Sequence, residues 1–144
     1  MAKHSALDIA KHIISKCTFD EMPISNLQLQ KILYYIQRDF LKNSAALFND
    51  KFEAWQFGPV VPSVYYQYCG FGALPIRMQY SITLDSLTPE ELKSINDIID
   101  KKRKKNPWEL VEETHKPGGA WDRVYNSGLG NHQEISVDDI ILYG

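Results

Sequence analysis

The stretch from Ser25 to Phe40 constrains this chain more than any other. Ser25 with Gln28 makes a capping-box start, and Leu29, Ile32, Leu33, Ile36 and Phe40 then recur at helical spacing. The pattern predicts a core helix over residues 26–42 whose other faces carry Gln30, Lys31, Gln37 and Arg38. A chain of 144 residues with 44% apolar and 24% charged composition is the size and balance of one globular domain. It is long enough to bury a core without disulfides or metals.

Further helix signals follow the same logic. Ser5 with Asp8 opens a helix whose inward face is Ala6, Ile9, Ala10, Ile13 and Cys17, and residues 19–23 connect it to the next. Thr88, Pro89 and Glu91 open another, with Leu92, Ile95, Ile98 and Ile99 facing inward. Asn106, Pro107 and Glu109 repeat the device, and the run Lys116 to Gly119 breaks that helix. A short helix over 120–126 and a final turn or two capped by Ser136 and Asp139 complete the count.

The segment FEAWQFGPVVPSVYYQY, residues 52–68, is different in kind. Its aromatics suit a core, but Pro59 and Pro62 forbid one continuous helix or strand. Residues 51–57 read as a strand ended by Gly58-Pro59, and Pro62 starts a helix running to about Tyr68. Phe52, Ala54, Trp55 and Phe57 are expected to anchor the strand to the helices; Val61, Val64, Tyr65 and Tyr68 make one apolar helix face. Residues 69–75 read as a loop. Tyr80, Ile82 and Leu84 alternate with polar neighbours, so residues 79–84 are expected to pair with the strand. The predicted fold class is mainly α, a single compact helical domain over 1–144 with a short antiparallel β-ribbon.

The net charge of −2 supplies no global field for nucleic acid or anionic membrane. No apolar run approaches membrane-spanning length, and the N-terminus lacks a signal-peptide apolar region, so a soluble cytoplasmic protein is expected. Cys17 and Cys69 sit in apolar stretches and read as buried free thiols. His4, His12, His115 and His132 form no metal-ligand spacing, so no metal site is expected. The glycine-rich pieces lack phosphate-cradle context, and no cofactor is implied. The run Lys101 to Lys105 reads as solvated cations at a helix C-terminus, which the dipole favours, rather than as a nucleic-acid patch. His115 reads as a helix-end histidine; a rival reading is a small hydrolase using His115 with Glu109 or Glu112. Trp55, Trp108 and Trp121 are expected mostly in the core.

Four motifs occur in order: ISNLQLQKILYYIQ (24–37), FEAWQFGPVVPSVYYQY (52–68), PWELVEETHKPGGAWDRVY (107–125) and ISVDDI (135–140). Together they resemble the Panacea domain family, the SocA-like antitoxins and phage-associated GepA-like proteins. The resemblance implies a non-enzymatic antitoxin that binds and neutralises a cognate toxin protein. In one branch it implies a proteolytic adaptor handing its toxin to a Clp protease. Some members add a DNA-binding domain, and with 144 residues taken up by one domain none is expected here. The motif residues it carries over as structural are Gln30, Lys31, Tyr34, Tyr35, Trp55, Gly58, Pro59, Val60, Trp108, Glu109, Leu110, His115 and Trp121. The charge-poor aromatic group Tyr65, Tyr66 and Tyr68 is the expected part of a protein-binding surface.

Overall fold

The computed structural model describes residues 4–144. Among the described residues seven α-helices and a small sheet follow in the order α1 (Ala6–Phe19), α2 (Asn26–Asn43), β1 (Phe52–Trp55), β2 (Gly58–Val60), α3 (Pro62–Tyr68), α4 (Pro89–Lys102), α5 (Pro107–Thr114), α6 (Ala120–Tyr125), β3 (Gln133–Ile135) and α7 (Val137–Tyr143). The protein is mainly α. The capping boxes read from the sequence all form: Ser5/Asp8, Ser25/Gln28, Thr88/Glu91 and Asn106/Glu109.

α2 is the axis of the molecule. It packs against α1, α3, α4, α5, α7 and β2, so it has no solvent face along most of its length. Leu29, Ile32, Leu33 and Ile36 are completely buried, each contributing roughly 1.5–3 kcal/mol of apolar burial. Four of its polar residues, Asn26, Gln30, Lys31 and Gln37, are buried too, and each hydrogen-bonds the backbone of a neighbouring segment. Gln37 donates to the Phe48 carbonyl (2.7 Å) and accepts from the Leu47 N–H (2.9 Å). Gln30 accepts from the Val61 N–H (3.0 Å) and donates to Asn26 (3.0 Å), which donates to the Tyr65 carbonyl (3.2 Å). These side chains stitch the loop before β1 and the start of α3 to the central helix, supplying partners that no strand or helix ladder provides there.

The sheet departs from the expected ribbon. Its order is β2-β1-β3, antiparallel throughout. Gly58-Pro59 does not end the strand region; after a two-residue turn at Gln56-Phe57 the chain doubles back, and Trp55 pairs with Gly58 and Ala54 with Pro59. Gly58 takes φ +114° at that corner, and proline is tolerated because β2 is an edge strand. Residues 79–84 form no strand. Their extended backbone lies along α1, where the Tyr80 N–H donates to Ser15 Oγ (2.9 Å) and the Met78 N–H to Thr18 Oγ1 (3.2 Å). The alternation matches exposure, with Tyr80, Ile82 and Leu84 half-buried between exposed neighbours, but the segment meets α1 instead of a strand.

Three other expectations are corrected. Cys17 is buried, but Cys69 is exposed. Trp108 is on the surface at 59% exposure and Phe57 at 44%. Of the run 101–105, Lys102, Arg103 and Lys105 are held in ion pairs rather than freely solvated. Arg103 pairs with Asp20 (2.8 Å) and Asp100 (2.8 Å), and both Lys102 (2.9 Å) and Lys105 pair with Glu113. The run clasps α4 to α1 and α5.

Candidate functional site

The corner between β1 and β2 brings three motif segments together. The missing side chain of Gly58 is the reason they meet. A Cβ there would lie 2.7 Å from Lys31 Cε and 2.7 Å from Thr114 Oγ1, inside any allowed contact. Lys31 on α2 therefore passes directly under the corner, fully buried, and donates to the Pro59 carbonyl (3.1 Å). Burial alone pushes its amine down to about 7.

Above Lys31 lies a cavity of about 240 Å³, lined by Leu27, Lys31, Trp55, Phe57, Tyr65 and His132 among others. Trp55 organises its wall. Its indole stacks on His132 (4.3 Å, 14°), meets the Tyr65 ring edge-on at 4.9 Å, and donates from Nε1 to Glu53 (2.9 Å). Tyr66 lies beyond, 6.0 Å from Trp55, and Phe57 meets Trp108 edge-on at 5.2 Å. Aromatic pairs at these separations hold one another in place without a covering layer. Two aromatic groups, Trp55, Tyr65 and Tyr66 with His132, and Phe57 with Trp108, meet at the cavity that Trp55 and Phe57 both line, and form an aromatic face in which Phe57, Tyr66 and Trp108 are exposed at 44%, 62% and 59%.

Of the three tyrosines expected on a binding surface, Tyr66 is exposed and Tyr65 half-buried. Tyr68 is in the core at 1% exposure, with its hydroxyl 2.9 Å from that of Tyr80. His132 and Leu27 escaped the sequence reading of the site. His132 comes from a loop after α6 and reaches Trp55 because its own N–H donates to the Ala54 carbonyl (2.7 Å) with φ at +67°. No local pattern marks such a residue. Phe57 was legible as a motif aromatic, but its outward direction was not.

Behind the corner, Trp121 is buried and donates from Nε1 to the Trp55 carbonyl (2.7 Å). His115 stacks on it at 3.6 Å and 2°, and Tyr125 continues the stack at 4.6 Å. Burial, with Lys31 nearby, lowers the His115 pKa against an opposing pull from Asp122. The hydrolase geometry does not assemble. Glu109 is occupied with the Asn106 N–H at the start of α5, Glu112 is exposed, and neither hydrogen-bonds His115 among the described residues. Tyr34 and Tyr35 are buried against the core, with Tyr35 under the Lys102 ammonium at 3.9 Å. Val60 and Leu110 are buried. Among the described residues, no three His, Cys, Asp or Glu side chains gather as a metal site, and no helix is long and apolar enough to cross a membrane.

Fold and site together define a mainly helical protein whose most distinctive surface is an aromatic-walled β-corner set on a buried central helix. A family model described as "Antitoxin SocA-like, Panacea domain" matches residues 29–122, from inside α2 to the first turns of α6. The antitoxin SocA of Caulobacter vibrioides is 33% identical over 139 residues, covering 85% of this chain and 73% of that protein. The chain belongs to the SocA-like, Panacea-domain antitoxin family. No solved structure matches it significantly.

Proposed function

We propose that this protein is an antitoxin that neutralises a cognate toxin protein by binding it directly through the aromatic face at the β-corner. Family membership supports the antitoxin role. The observation that carries the choice of surface is the exposure of Phe57, Tyr66 and Trp108, with Phe57 lining the cavity, Trp108 against Phe57, and Tyr66 against the cavity-lining Trp55. Large aromatics are costly to leave in water, and they are the residues that most often dominate protein interfaces. Each of the three packs against at least one other ring, a contact that favours a preorganised docking surface.

The test is co-expression with the product of a neighbouring gene whose expression alone stops growth, read by growth and by pull-down. Rescue with a stable complex is expected, at micromolar affinity or tighter, about −8 kcal/mol. Rescue without a complex, through lowered toxin transcript or turnover of a small molecule, would remove direct binding. Rescue that fails only in cells lacking a Clp protease would keep the binding and make the protein an adaptor.

A further inference from the structure

We propose that the cavity under the β-corner seats one acidic side chain of the toxin, whose carboxylate accepts hydrogen bonds from the Lys31 amine. This rests on the reading that the aromatic face docks a toxin.

Lys31 is completely buried yet has no carboxylate partner among the described residues; its one hydrogen bond goes to the Pro59 carbonyl. A neutral amine carries two donors and an ammonium three, so at least one is without a hydrogen-bond partner among the described residues. Buried lysines are ordinarily paired, because an uncompensated charge or unfilled donor in a dry site is costly. An aliphatic side chain of similar length would fill the space without that penalty. Lys31 is among the residues that line the cavity with Trp55, Tyr65 and Phe57, and since none of its surface is open to solvent, an entering acceptor reaches the amine by displacing a lining side chain.

The lining chooses the acceptor. It contains no carboxylate, while Lys31 and His132 are both bases. A carboxylate entering there meets positive or neutral groups only, and the desolvated amine gains most from an anion. The volume of about 240 Å³ lies below the roughly 300–1,000 Å³ of small-molecule sites. It suits a single side chain carried in by a larger partner whose remaining surface covers Phe57, Tyr66 and Trp108.

Two measurements test this. The first titrates the full chain with N-acetyl-glutamate amide, using N-acetyl-glutamine amide as the neutral match. The Lys31 side-chain and Trp55 indole signals are followed by NMR. Saturable shifts with the glutamate probe alone are expected; equal responses to both probes, or none, would overturn the assignment. The second compares the complex formed with the neighbouring growth-stopping product in wild type, Lys31→Met and Leu27→Trp, the last adding bulk to the cavity lining. Both variants are expected to bind at least about tenfold more weakly, with a denaturation midpoint for Lys31→Met no lower than wild type. A complex that survives both substitutions within about twofold defeats the acidic anchor and leaves the docking face standing. Should Lys31→Met fail to fold, Leu27→Trp decides alone. No complex with the wild-type chain defeats the docking reading itself.

Discussion

At the scale of single residues, the side chains around the corner separate into those that hold it and those that face outward. Gly58 is required twice over, by its φ of +114° and by the 2.7 Å approach of Lys31 and Thr114 to the position of a Cβ. Gly58→Ala is expected to destabilise the protein by about 1–3 kcal/mol or more, because strain and displacement of Lys31 add; a denaturation midpoint equal to wild type would contradict this. Trp121→Ala should cost about 3–5 kcal/mol as a large core truncation that also strips the Trp55 carbonyl of its donor. Trp108→Ala, at a surface position, should stay within about 1 kcal/mol. Lys31 gives a pH signature. Its folded pKa near 7 lies below its ordinary 10.5, so between those values the unfolded chain holds the extra proton. Stability should therefore rise as pH is raised from about 7 towards 10, by an upper bound of about 5 kcal/mol, and be lost again on returning. Lys31→Met should flatten that rise in urea titrations taken across the range.

At the scale of elements, the ion pairs at the end of α4 act as a clasp. Arg103, with its side chain 9% exposed, reaches Asp20 at the end of α1, and Lys102 and Lys105 converge on Glu113 of α5. Arg103→Gln is expected to cost about 1–2 kcal/mol, since its partners are partly screened by solvent. Lys101→Gln with Lys104→Gln, both exposed, should be silent in the same unfolding experiment. The hydrogen bonds from Lys16 and Arg103 lower the Asp20 pKa; burial would raise that of Glu113, but the bonds from Lys105 and Lys102 outweigh it. Both carboxylates thus add stability above the usual carboxylate range, and that part should fade as pH falls below about 4. The helices themselves were legible because each carries its own start signal and stripe, as in Thr88-Pro89 ahead of Ile95 and Ile99. β2 and β3 were not, since three residues apiece hold too little pattern and their partners lie in other segments. Polar residues on α2 were visible in the sequence, but their burial depends on neighbours arriving from every side. Lys31 could thus be named as a motif residue, whereas its place beneath the corner follows only from the fold.

At the scale of the whole molecule, α2 carries the helical core on one side and the β-corner on the other. Its apolar stripe faces the helical core, while Gln30 and Lys31 support the corner from below. The aromatic face consequently stands on a rigid base, yet its outermost rings contribute little to the base itself. Removing those rings should therefore separate binding from folding. In Phe57→Ala/Tyr66→Ala/Trp108→Ala, each site is at least 44% exposed and outside the buried core. The summed loss of stability is expected to stay within about 2 kcal/mol. Binding hot spots commonly cost about 2 kcal/mol or more each on truncation, so even one among the three would weaken the toxin complex by about thirtyfold. Growth rescue should fail while circular dichroism and the urea midpoint remain close to wild type. If the triple variant still rescues and still pulls down the toxin with wild-type affinity, the docking surface lies elsewhere on the molecule. Unfolding of the variant would instead show that the exposed rings brace the corner, and the single substitution Tyr66→Ala, on the outer side of α3, would then carry the comparison.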